Sequence, residues 1–170
     1  MSGEGSSGLS KGSDGDLVAA LRAFADHSPR QSFVLFPLGA LAERAVRGKL
    51  RDLDLRFVAL LAAGYGLYRW GGLHREANRA GTPGFKRMPE RLLTDGPYAF
   101  TRNPMYLGHL VFLAGLALVT RSPLALAAFL WQRARLRGRV AEDESRLATR
   151  FGDPYRRYRE SVPRWLPRLP

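Results

Sequence analysis

Between Gly96 and Leu110 the chain reads GPYAFTRNPMYLGHL, and four of its side chains can do chemistry: Arg102, Asn103, Tyr106 and His109. A second capable group, Glu142-Asp143-Glu144, follows further along. A guanidinium at a helix start attracts an anionic group, carboxylate or phosphate, because its charge adds to that of the unpaired backbone N–H groups. Adjacent carboxylates attract an ammonium or ribose hydroxyls. Tyr106 and His109 share a helical face and are the candidates for moving a proton. Together these groups suit a zwitterionic amino acid carried on a nucleoside, and equally a phospholipid headgroup or a nicotinamide cofactor. Taken singly, each has a plainer reading. His109 would be a packing histidine, the acidic run a solvated ion-pair face, and Arg102 a residue snorkelling to an interface.

For the two groups to meet, the chain must fold back between them. Asn103 is placed to cap a helix and Pro104 to begin it. The helix runs through LVFLAGLALV to Thr120-Arg121-Ser122-Pro123, a link so tight that the next helix must return antiparallel. That helix continues past Trp131 as a charged segment with Leu136, Val140, Leu147 and Phe151 as an intermittent apolar stripe, and Gly138 is a possible hinge. Two earlier helices are expected at about 31–47, where Pro37 would kink a soluble helix but is tolerated more readily in a membrane one, and at about 55–71. The second contains Gly64-Tyr65-Gly66, small residues that let helices approach closely. From 71 to 101 the chain is polar and broken by Gly81, Pro83, Gly84, Pro89, Gly96 and Pro97, which points to a lid or binding segment. A short amphipathic helix is expected at 17–25, and residues 1–16, rich in Gly and Ser, read as a disordered tail without a cleavable signal.

Composition narrows the class. The chain has 170 residues, no cysteine and a formal charge of +12. Thiolate catalysis, disulfides and cysteine-ligated metals are therefore excluded, and no metal site is expected. The charge is mostly arginine and calls for an anionic partner. Without a nucleic-acid-binding motif, that partner is read as a lipid surface rather than nucleic acid. Four apolar runs, at 33–46, 57–70, 107–119 and 124–131, alternate with basic segments. Each is shorter than the roughly 20 residues of an unaided span, but flanking Arg and Trp can cover the deficit. The expected fold is all-α: a multi-pass membrane bundle of about four membrane helices with a C-terminal amphipathic extension. The arginines of the 71–101 loop and of the tail fall on one side, which the positive-inside rule assigns to the cytoplasm; Arg47, Lys49, Arg51 and Arg56 oppose it. Tyr155, Tyr158 and Trp165 are read as interface anchors.

GPYAFTRNPMYLGHL followed by DESRLATRFGDPYRRYRESVPRWLP resembles the isoprenylcysteine carboxyl methyltransferase and phospholipid N-methyltransferase superfamily of small integral membrane enzymes. Their pattern pairs a GPY-x3-RxPxY-x-G segment with an acidic pair and a short aromatic tail. The resemblance covers residues 81–167, which it makes the cofactor-binding part of a domain spanning 17–170. It implies S-adenosylmethionine bound near the cytoplasmic face and a lipid or other lipophilic acceptor arriving from the bilayer. By position, Arg102, Asn103, Pro104, Tyr106, Asp143 and Glu144 are the implied cofactor-binding residues. His109 and Tyr106 are the catalytic candidates if the acceptor must lose a proton. Asp143 stands where many members have glutamate. Asn103 stands where the carboxyl methyltransferases carry histidine, which tilts against a prenylcysteine acceptor. The competing readings are a membrane reductase of the sterol-reductase type using NADPH and a non-catalytic protein that binds anionic membranes.

Overall fold

The structure is a computed structural model that describes residues 28–78, 80 and 90–165. The tail at 1–16, the helix expected at 17–25 and the breaks at Gly81, Pro83, Gly84 and Pro89 lie outside the described residues. Every regular element among the described residues is helical, as the apolar periodicity requires.

The first rod starts as a helical turn at Ser28–Arg30, widens into a π-helical turn at Gln31–Leu35 and continues as α1, Phe36–Val46. Pro37 explains the widening. It has no N–H, and its ring would crowd the carbonyl of Phe33 one turn back. The wider turn, in which the Phe36 N–H reaches Gln31 O, takes up that mismatch. Asp54 then accepts from the Arg56 N–H and caps the turn at Leu55–Phe57 that opens α2, Val58–Ala77. α2 runs beyond its expected end at 71, because Gly71 and Gly72 are tolerated where they pack against the start of the next helix.

α3, Pro104–Thr120, makes its most extensive contact with α2. Small residues set the crossing. A Cβ on Gly108 would stand 2.7 Å from the Gly64 carbonyl oxygen, and one on Gly115 would stand 2.8 Å from Leu60 Cβ. Gly64 therefore does the packing work expected of its triplet, whereas Gly66 faces open space. The link to α4, Pro123–Phe151, is the expected tight turn: Arg121 adopts a left-handed φ of 49°, and the Ser122 hydroxyl accepts from the Ala125 N–H. α4 runs unbroken through Gly138. Gly152, with φ +55°, turns the chain into α5, Asp153–Ser161.

Two cores hold these helices. Ala40, Leu113, Leu116 and Ala125 join α1, α3 and α4. Tyr155, Tyr158 and Val162 pack with Leu92, Leu147 and Phe151 under the other end. Among the described residues no helix is long and apolar enough to cross a membrane. α3, the most apolar, has 17 residues. That length amounts to about 25 Å, against a hydrocarbon core of about 30 Å.

Candidate functional site

The hairpin of α3 and α4 brings residues distant in sequence to one place. Asn103 and Glu144 are 41 positions apart, yet the Asn103 Nδ2 lies 3.5 Å from Glu144 Oε1. One turn into α3, the Tyr106 hydroxyl donates at 2.6 Å to Oδ2 of Asp143, the residue just before Glu144. Arg102 reaches the same carboxylate from the loop before α3, with Nη1 3.5 Å from Glu144 Oε1. Glu142 takes no part; it is exposed and pairs along its own helix with Arg146.

The loop that delivers Arg102 is fixed at several points. Gly96 has φ +56°, and a Cβ there would meet the His74 ring, so a glycine is required by both backbone and space. His74 Nε2 lies 3.0 Å from Asp95 Oδ1 and holds the Asp95 carboxyl below the usual carboxylate range. The Tyr158 hydroxyl donates to Tyr98 O at 2.7 Å. After the loop, Asn103 occupies the cap position of α3, but its side chain makes no cap bond. Its Nδ2 instead donates to Arg164 O at 3.1 Å. Pro104 is fully buried at the first position of α3, where its missing N–H costs nothing.

The chain after α5 closes over this cluster. The Arg102 N–H donates to Pro163 O at 3.0 Å, and the Thr101 hydroxyl donates to Arg164 O at 3.1 Å. The Arg164 side chain grips Glu144 with both ends of its fork, Nε to Oε1 at 3.1 Å and Nη2 to Oε2 at 2.7 Å. That partner raises the Arg164 pKa above its ordinary value. The Glu144 side chain is 7% exposed, Arg102 9% and Arg164 47%, so Arg102 is the desolvated partner and Arg164 the wet one. Buried Arg102 Nε makes no hydrogen bond among the described residues, and Nη1 has only the long 3.5 Å ion pair with Glu144; the buried Tyr155 hydroxyl lies beside them. Buried donors left without acceptors are costly, and an acceptor entering here would be bound firmly.

His109 does not join the carboxylates. It is buried on α3 with its ring stacked on Phe33 at 4.7 Å and tilted against Tyr68 at 5.0 Å, and its Nδ1 has no partner among the described residues. Tyr155 and Tyr158 turn inward as core, so they are not the interface anchors expected of them. Burial pushes both phenols above their ordinary pKa. Sequence reasoning also missed Thr101 and Arg164. Arg164 is one of many arginines in the tail, and nothing local distinguishes it from its neighbours.

The fold places a charged, largely buried side-chain cluster at the open end of a helical hairpin. The chain matches the family model described as phospholipid methyltransferase over residues 58–153, from the start of α2 to the start of α5, and it belongs to that family. It is similar to the protein-S-isoprenylcysteine O-methyltransferase of Schizosaccharomyces pombe (strain 972 / ATCC 24843), with 35% identity over 89 residues. The aligned part is 50% of this chain and 37% of the relative, so the chain spans little more than a third of that protein's length.

Proposed function

We propose that the protein is an integral membrane methyltransferase that uses S-adenosylmethionine to methylate a lipophilic acceptor. The observation that carries this reading is the buried guanidinium of Arg102, paired only at 3.5 Å with Glu144 and with a spare Nε–H, in a chain of the phospholipid methyltransferase family. The residues present fit the cofactor. Arg102 Nε and Nη1 would receive its carboxylate, with Tyr155 alongside, and Asp143 and Glu144 would receive its ammonium or ribose hydroxyls. Asn103 and Tyr106 hold those two carboxylates in place, and Pro104 starts α3 so that its N-terminal N–H groups lie in the same region. When bound, the cofactor supplies a methyl group on a sulfonium centre.

What this chain contributes is alignment and exclusion of water, because an in-line displacement needs little else. Residues 163–165 lie across the cluster and shield it from one side. Tyr106 is oriented by Asp143. His109, packed against Phe33 and Tyr68, has an uncommitted Nδ1 in apolar surroundings, and it would take the proton from an acceptor that must lose one.

The membrane location is supported by large apolar side chains that face outward on several helices: Leu38 and Leu41 on α1, Trp70 on α2, and Leu124, Leu126 and Leu130 on α4. A solvent-facing surface this apolar fits lipid. α3 falls only about 5 Å short of the hydrocarbon thickness, a mismatch that bilayer thinning and snorkelling absorb. The Arg135 guanidinium lies 5.3 Å over the Trp131 ring, where an interfacial pair would sit. The arginines of the cluster's end would then face the cytoplasm.

The test is transfer of isotopically labelled methyl groups from S-adenosylmethionine to lipid extracts, followed by identification of the labelled species. A labelled lipophile that disappears with Arg102→Ala is the expected result. Well-folded protein that labels nothing across lipid classes contradicts the proposal.

A further inference from the structure

At the opposite end of α3 from the Arg102 cluster, the 47–54 connection and the α3–α4 turn enclose an open depression of about 600 Å³. It is lined by Arg44, Lys49, Asp52, Leu53, Asp54, Arg56 and Arg121, so four cations face two carboxylates. The carboxylates are unequally committed. Asp54 is held by both Arg56 and Arg121 at 2.7 Å, and its N–H donates to Val119 O at 2.8 Å. It builds the wall of the depression. Asp52 is only 3.7 Å from Arg44, and its carbonyl accepts from the same guanidinium at a long 3.4 Å.

Arg44 is therefore poorly satisfied for its depth. Its side chain is 8% exposed, and its Nε has no hydrogen-bond partner among the described residues. Lys49 lines the same depression and forms no ion pair among the described residues. A buried guanidinium with a spare donor, a second uncommitted cation and a cavity between them make an anion site of phosphate character. The surroundings indicate where the phosphate comes from. Val46, Leu50 and Leu55, on the chain that frames the depression, are 90%, 46% and 68% exposed. Apolar side chains so placed would lie along acyl chains rather than water.

We propose that this depression binds the phosphate of an anionic phospholipid headgroup, at a site separate from the methyl-transfer cluster. The cluster lies at the start of α3 and the depression at its end, a helix length of about 25 Å away. The Arg44 guanidinium, freed from its long contacts with Asp52, and Lys49 Nζ donate to the phosphate oxygens, and Arg56 and Arg121 stay with Asp54 and supply field rather than contacts. The lipid source rests on the membrane reading above; the affinity for phosphate does not.

The test uses the full chain in phosphatidylcholine nanodiscs, titrated with phosphatidylglycerol, and in parallel the detergent-purified chain titrated with inorganic phosphate. Thermal midpoints are read in both. Phosphatidylglycerol should stabilise the wild type saturably, and Lys49→Gln should raise the half-saturating fraction about fivefold or more, the worth of one charge-assisted contact. Arg44→Lys, which keeps the charge but loses the Nε–H, guards against a folding defect in larger changes and should weaken binding likewise. Arg133→Gln with Arg137→Gln, exposed on α4 and far from the depression, lowers the net charge and should change nothing. Phosphate that stabilises the detergent-purified chain, and less so its Lys49→Gln variant, shows that the site reads phosphate from either source; phosphate without effect shows that it reads the lipid headgroup. Both outcomes support the site. Equal losses in the α4 control, or no loss in Lys49→Gln and Arg44→Lys, overturn it. S-adenosylhomocysteine stabilisation, measured on the same variants, stays intact in either case and separates this test from that of the methyltransferase reading.

Discussion

Glu144→Gln removes one charge and almost no volume from the centre of the cluster. The carboxylate faces three groups: Arg102 at 3.5 Å, Arg164 through a two-pronged bond, and Asn103 Nδ2 at 3.5 Å. Removing one member of a buried pair costs about 3–5 kcal/mol, because the other charge is left unpaired. Arg164 is 47% exposed and can turn to water, so its share is that of a surface pair, below about 1 kcal/mol. Arg102 is 9% exposed and has no such escape, which puts the cost at about 3 kcal/mol. In a chain of this size that is a fall in Tm of about 6–12 °C. The assay is thermal unfolding in detergent for the single variants and for two double-mutant cycles, Glu144→Gln with Arg102→Gln and Glu144→Gln with Arg164→Gln. The Arg102 cycle should give a coupling of about 2 kcal/mol or more and the Arg164 cycle below about 1 kcal/mol. A Tm for Glu144→Gln within about 2 °C of wild type, or a larger coupling to Arg164 than to Arg102, would refute the assignment of Arg102 as the desolvated partner.

Tyr106→Phe removes the 2.6 Å bond to Asp143, and S-adenosylhomocysteine affinity, read by calorimetry, should fall about tenfold, as a hydrogen bond to a charged group is worth about 1.5–3 kcal/mol. Gly108→Val forces side-chain atoms into the Gly64 carbonyl; it should destabilise by about 1–3 kcal/mol or more in thermal unfolding, and Gly66→Ala, in open space, should not. His109→Gln should leave cofactor binding unchanged while lowering turnover by ~10²-fold or more, and an unaltered turnover would return His109 to packing. The Asp95 carboxyl is depressed by His74, so its stabilisation is complete above about pH 4, the unfolded value, and is lost as pH falls through the lower folded value. Acid unfolding of His74→Ala should therefore begin at higher pH than that of the wild type.

The meeting of Arg102 and Tyr106 with Asp143 and Glu144 was legible in the sequence because it follows from two local facts. Pro104 starts a helix, and Thr120-Arg121-Ser122-Pro123 leaves the next one nowhere to go but back. The all-helical fold was legible for the same reason, since 3.6-residue periodicity is local. What long-range packing decides was not legible. Pro37 reads as tolerated within a helix, but that the helix accommodates it by a wider π-helical turn at Gln31–Leu35 is not recorded in any local pattern. Gly138 reads as a hinge, yet the good helix formers around it carry α4 straight through. The direction that Tyr155 and Tyr158 face is set by the turn at Gly152, which no period in the aromatic tail records. Arg164 became part of the site only because the Pro163 and Arg164 carbonyls accept hydrogen bonds from the 101–103 loop.

The central claim is a cofactor pocket built on the buried guanidinium of Arg102, and calorimetric titration with S-adenosylhomocysteine tests it most directly. The full chain in detergent should bind it saturably, Arg102→Ala should abolish that binding while the protein stays folded, and NADPH should give no heat. Binding that survives Arg102→Ala, or saturable binding of NADPH alone, would contradict the account.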